Sequence, residues 1–153
     1  MVDLVRIDDR LVHGQVMAAW APALRTTHIL VADDDSAADD FARQIMQLAM
    51  PAHIALTIET VDSAASRLPA IAADASHTLV LLKSVAAAVR LHHLWPLVSL
   101  NVGGIGMAPG RALVWRSIAA SPQEVAALQR LRAQGVDVYF QMVPGDTKQV
   151  LSA

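Results

Sequence analysis

Apolar residues along this chain come in short blocks separated by polar turns, and the blocks alternate between two periods. Residues 2–7 read as a buried strand that ends in a polar cluster. After Gly14 the period changes. Val16, Met17, Ala19 and Trp20 fall at spacings that share one helical face. Residues 27–32 form a β-branched second strand bounded by Asp33, Asp34 and Asp35, which are placed to cap a following helix. That helix carries Ala37, Phe41, Ile45, Leu48 and Ala49 on one face and ends at Pro51. Residues 53–58 predict a third strand. Thr60, Val61 and Asp62 open a short helix to Leu68, with a turn at Pro69.

Residues 77–82 are the most continuous apolar run and a fourth strand, after which Ser84 caps a helix over 85–94. A fifth strand over 97–102 runs into Gly103, Gly104, Ile105 and Gly106. Residues 113–118 predict a short sixth strand. Ser121, Pro122 and Glu124 mark a helix start, with a capping serine, proline in the first turn and glutamate three residues on. That helix stops at Gly135. Residues 136–143 are a last strand, and Pro144, Gly145 and Asp146 turn into a short C-terminal helix.

Strands alternating with helices imply βαβ units. The expected fold is α/β, a three-layer, mainly parallel open sheet with helices on both faces, in one domain over 1–153. The turns after the first, fourth and fifth strands are candidates for one rim, the side where ligands bind in such sheets. Strand order does not follow from the sequence.

Composition narrows the function. The chain has 153 residues, long enough for one core. Hydrophobic residues make up 54%, but much of the excess is alanine, so it speaks for helix rather than membrane. No run approaches the ~20 apolar residues of a membrane span. There is no basic and apolar leader, so a cytoplasmic location is expected. Zero cysteines rule out disulfides and thiolate metal sites. A net charge of −2 without a basic block speaks against nucleic acid as a partner.

The chemistry concentrates in residues 6–15, where Arg6, Asp8, Asp9, Arg10, His13, Gly14 and Gln15 follow the first strand. A neutral imidazole is a nucleophile for phosphoryl groups, and arginine binds phosphate oxygens bidentately. A helix start supplies free N–H groups, and a carboxylate can fix the imidazole tautomer. Asp8 and Asp9 either serve in this way or simply pair with Arg6 and Arg10. Lys83 and Ser84 are either rim residues or a surface lysine and a cap. Arg111 either reaches an anion or lies on the surface. The glycine stretch lacks the third glycine and distal acid of a dinucleotide fingerprint, so it reads as a flexible loop bordering the site. His92 and His93 point in different directions on a helix, His28, His53 and His77 sit at strand starts on the rim opposite His13, and all five read as non-functional; Trp20, Trp95 and Trp115 read as core or interface.

The stretch 5–15, VRIDDRLVHGQ, closely resembles the phosphorylation segment of IIB components of the mannose/fructose/sorbose family of the bacterial phosphoenolpyruvate:sugar phosphotransferase system. Asn101-Val102-Gly103-Gly104, Pro109-Gly110-Arg111 and Leu81-Leu82-Lys83-Ser84 are similar to further segments of that family, so the resemblance spans almost the whole chain. It implies a protein-N(pi)-phosphohistidine–sugar phosphotransferase. His13 would accept a phosphoryl group from a phosphohistidine of a IIA component on a separate chain. It would then pass the group to a sugar imported through membrane IIC and IID components. Arg10 and Asp8 would support phosphate and imidazole. Arg6, Gly14, Gln15, Lys83, Ser84 and Arg111 would bind phosphate or partner. Neither cofactor nor metal is implied, and the chain is expected at the inner face of the membrane. Ala108 stands where many relatives carry a basic residue. A histidine-phosphatase-like hydrolase and a non-catalytic regulatory module are the alternatives; Val12 stands where the hydrolase motif would have arginine. The sugar and the oligomeric state do not follow from the sequence.

Overall fold

β1 (Val2–Asp8) runs through the middle of the molecule with a strand on each side. The computed structural model describes residues 1–152. The other strands of the main sheet are β2 (His28–Ala32), β3 (Ala55–Glu59), β4 (Thr78–Leu82), β5 (Ser99–Gly104), β8 (Asp137–Phe140) and β9 (Gln149–Val150). Their spatial order is β3-β2-β4-β1-β5-β8-β9. All neighbours pair in parallel except β8 and β9. The expected three-layer α/β architecture is therefore present, with one antiparallel edge strand.

Side chains alternate between two apolar layers, as the pleat requires. Val5, Ile7, Val80, Leu82, Leu100, Val102, Val138 and Phe140 pack on one face. There they meet α4 (Val61–Ala73), α5 (Val85–Leu94) and α6 (Pro122–Ala133). Leu4, Ile29, Val31, Leu79, Leu81 and Tyr139 pack on the other. That face is covered by a π-helical segment (Val16–Trp20), α1 (Ala21–Ala23) and α3 (Asp40–Leu48). Caps occur where the side chains offer them. Ser84 accepts from the Ala87 amide, and Ser121 and Glu124 form a reciprocal capping box.

Several expectations are corrected. The helix after β2 breaks into α2 (Asp34–Ala37) and α3, because Asp39 caps α3 through the Ala42 amide. Phe41, Ile45 and Leu48 are 71%, 52% and 87% exposed, whereas Met46 is buried and Ala42 packs against the same layer. α3 thus turns its small and flexible stripe inward. Pro69 lies inside α4 on its exposed side rather than in a turn. Residues 113–118 belong to a hairpin, β6 (Ala112–Trp115) and β7 (Ile118–Ala120), with Arg116 at φ 48° in its turn. Among the described residues the expected C-terminal helix is absent; the chain continues into β9 against β8.

Candidate functional site

The sheet order places the carboxyl end of β1 between β4 and β5, so the three turns singled out from the sequence share one rim. Asp8 closes β1 with its side chain fully buried. Three residues compete for its carboxylate. Oδ2 receives Arg6 Nη2 at 3.1 Å and lies 2.9 Å from His13 Nε2. Oδ1 receives the Arg10 amide and Arg10 Nε, both at 3.2 Å. Burial pushes the Asp8 carboxyl up. The hydrogen bonds from His13 and Arg10 and the charge of Arg6 outweigh that and hold it below the usual carboxylate range.

The backbone folds back to bring His13 to this carboxylate. The Leu11 amide donates to the Asp8 carbonyl, and Leu11 takes φ 55°. A left-handed residue costs about 1–2 kcal/mol. Leu11 is only 5% exposed, and burying a leucine side chain contributes about 1.5–3 kcal/mol, so packing holds the loop in this form. Residues 14 and 15 are already helical, and His13 accepts the Met17 amide, so His13 stands at the start of the helical run. Its side chain is 15% exposed. With Nε2 committed to Asp8, Nδ1 faces the Gln15 amide at 3.3 Å. A Cβ at Gly14 would meet nothing within 4 Å beyond its chain neighbours.

Arg10 is half exposed, and its Nη2 donates to Gln15 Oε1 at 3.3 Å. Arg6 is another matter. It is fully buried, and Nη1 donates to Asn101 Oδ1 at 2.6 Å and the Gln141 carbonyl at 3.0 Å. The expectation that Arg6 binds phosphate or partner gives way to a support beneath Asp8, because its forked donors are spent inside the protein. Trp20 lies 5.0 Å from the guanidinium and donates to the Met142 carbonyl. A Cβ on Gly103 would lie 1.9 Å from Arg6 Cζ, and one on Gly104 2.8 Å from Asp8 Oδ1. These two glycines end β5 rather than forming a flexible loop. They are glycines because the charged side chains of β1 lie across them.

The following loop is also held. Gly106 donates to Asp9 Oδ2 at 2.7 Å, and its carbonyl accepts Arg111 Nη1 at 3.0 Å. Arg111 pairs bidentately with Glu124, so it anchors the loop and has no fork left for an anion. Ser84 caps α5 and Lys83 is exposed; among the described residues no hydrogen bond joins either to the His13 cluster. A cleft of about 190 Å³ lies beside Arg10, lined by Asp9, Gly103 to Gly106, Ser117 and Met142. Asn101, Gln141, Met142 and Trp20 are the supports that sequence reasoning did not assign to the site. The pairing of Arg6 with Asn101 across β1 and β5 brings the first of them in.

This arrangement presents an imidazole with Nε2 against a buried carboxylate and Nδ1 accepting only a backbone amide, next to an exposed guanidinium. The chain's sequence matches the family described as PTS system sorbose subfamily IIB component over residues 2–153. A probable phosphotransferase enzyme IIB component of Streptococcus pyogenes is 30% identical, covering 99% of this chain and 98% of that protein. The PTS system mannose-specific EIIAB component of Escherichia coli is 28% identical over 97% of this chain and 46% of that protein. The crystal structure of a PTS system N-acetylgalactosamine-specific IIB component 1 from Escherichia coli superposes with TM-score 0.89 at 26% identity, covering 97% of this chain and 98% of that one. The chain belongs to the sorbose subfamily of PTS IIB components, proteins of phosphoryl transfer in sugar uptake.

Proposed function

We propose that this IIB chain takes a phosphoryl group from a IIA phosphohistidine onto Nδ1 of His13 and delivers it to a sugar entering through membrane IIC and IID components. One observation carries the reading. His13 Nε2 lies 2.9 Å from the Asp8 carboxylate and Nδ1 accepts the Gln15 amide, contacts that favour a ring with its proton on Nε2 and its lone pair on Nδ1. Nδ1 attacks phosphorus in line, the P–N bond to the donor breaks, and its electron pair returns to the donor ring. Arg10 and the amides that open the helix after His13 supply charge and donors for the equatorial oxygens. Asp8 stabilises positive charge on the ring as the new bond forms. No step calls on a metal or cofactor.

The EIIAB name of the mannose-specific relative joins a IIA and a IIB part, which supports a IIA donor for this chain. Among the described residues no helix is long and apolar enough to cross a membrane. The reading places the chain in the cytoplasm, visiting the inner face of the membrane where the sugar arrives. The sugar itself is left to experiment.

The test is incubation with phosphorylated IIA and mapping of the label. An acid-labile, base-stable phosphoryl group on the chain, absent in His13→Ala, is expected. A label that survives in His13→Ala overturns the assignment. Steady release of inorganic phosphate would favour a hydrolase. Full sugar uptake with His13→Asn would favour a non-catalytic module.

A further inference from the structure

We infer that Arg6, held by Asn101, is a positioning residue that acts through Asp8 to decide which nitrogen of His13 carries the proton. The inference rests on His13 being the phosphoryl acceptor.

Stability does not explain this guanidinium. Buried ion pairs contribute little net stability over apolar residues of similar size. Arg6 also leaves its Nε buried without a partner. Yet the surroundings are built for it. Asn101 is oriented by its own bond from Nδ2 to the Gln141 carbonyl, which turns Oδ1 toward Arg6. The Met142 carbonyl accepts from Nη2, Trp20 lies against the guanidinium face, and Gly103 leaves the necessary space.

The consequence falls on Asp8. Its Oδ2 is the atom shared by Arg6 and His13. A fully buried carboxyl without a buried cation takes up a proton, because burial penalises the charged form. A protonated carboxyl is a donor, and it would turn His13 Nε2 into an acceptor. The ring proton would then sit on Nδ1, the nitrogen that must attack. Arg10 also bonds this carboxylate, but through a side chain that is 52% exposed, so the buried charge beside Oδ2 is supplied by Arg6. Arg6 therefore keeps Asp8 an acceptor. The proton stays on Nε2 while the donor's P–N bond breaks and the bond to Nδ1 forms, so the half-reaction needs no proton transfer.

The test uses the intact chain labelled with ¹⁵N histidine. NMR reads the tautomer of His13, and phosphorylated IIA reads the transfer rate. The wild type is expected to carry the proton on Nε2 alone. Arg6→Gln should populate the Nδ1–H tautomer and slow transfer by about tenfold or more, the range expected when a supporting partner is lost. Arg6→Lys, which restores the charge, should recover the tautomer. If Arg6→Gln does not fold, Asn101→Ala decides, with the same changes to a smaller degree. Folded variants with an unchanged tautomer and unchanged rate overturn the inference. A wild type that takes no label on His13 overturns instead the reading it rests on.

Discussion

β1 and β4 are neighbours in register, with Arg6 opposite Leu81 and Ile7 opposite Leu82, and both are buried. β4 fills its positions with Leu79, Val80, Leu81 and Leu82, all fully buried. β1 places Arg6 and Asp8, also fully buried, on the face where β4 has Leu79 and Leu81. The same burial is cheap for one strand and costly for the other, since each charge on β1 must be met by charge or hydrogen bonds. The extra polar machinery, Asn101, the Gln141 and Met142 carbonyls and two side-chain-free positions on β5, is gathered around β1 for that reason. β4 spends its buried positions on packing; the end of β1 gathers charged side chains at the rim.

The sharpest break between them should come from His13→Ala, which removes all phosphoryl acceptance while the far-ultraviolet circular dichroism and thermal midpoint stay near wild type. Asp8→Asn should follow, costing about 3–5 kcal/mol by leaving Arg6 as an unbalanced buried charge and slowing transfer as well. Pairing Arg6→Met with Asp8→Leu should recover most of that stability in urea titrations and none of the transfer. Recovery of transfer would mean that the charges on β1 are structural after all. On the other strand, Leu81→Ala should cost about 2–5 kcal/mol yet leave transfer by the folded fraction close to wild type.

The acid limb of stability sharpens the contrast further. The folded Asp8 carboxyl lies below its ordinary value, so its contribution is present above the unfolded pKa and disappears as pH falls through the folded one. Wild-type stability should therefore decline below about pH 4, and Asp8→Asn should show a shallower decline in the same window. The smallest effect belongs to Ser121→Ala, away from the site. Loss of the capping box at α6 should cost about 1 kcal/mol in thermal or denaturant unfolding, with transfer intact.

Much of this fold was legible because local signals agreed. α5 occupies the predicted 85–94, and α6 begins where serine, proline and glutamate said it would. α3 was misread because two stripes compete on it. Phe41, Ile45 and Leu48 make the more apolar one, but packing buries Met46 and sets Ala42 against the sheet, and the sequence holds no sign of which stripe the sheet accepts. At the site, His13, Asp8 and Arg10 were legible because their contacts span five residues or fewer. The burial of Arg6 was not legible. Its partners Asn101, Gln141 and Met142 lie 95 to 136 residues away and meet it only through the order β1-β5-β8. The glycines of β5 carried the missing signal, since glycine inside a strand marks a close approach by another group. Which group approaches depends on that same strand order.

If Asp8 leaves Nδ1 of His13 as the attacking atom, phosphorylated IIA should place phosphorus on that nitrogen of the ¹⁵N-histidine-labelled chain, which NMR locates through phosphorus–nitrogen coupling. Coupling to Nδ1 of His13, with the proton retained on Nε2, is the predicted result. Phosphorus on Nε2, or on any other residue, would contradict the account.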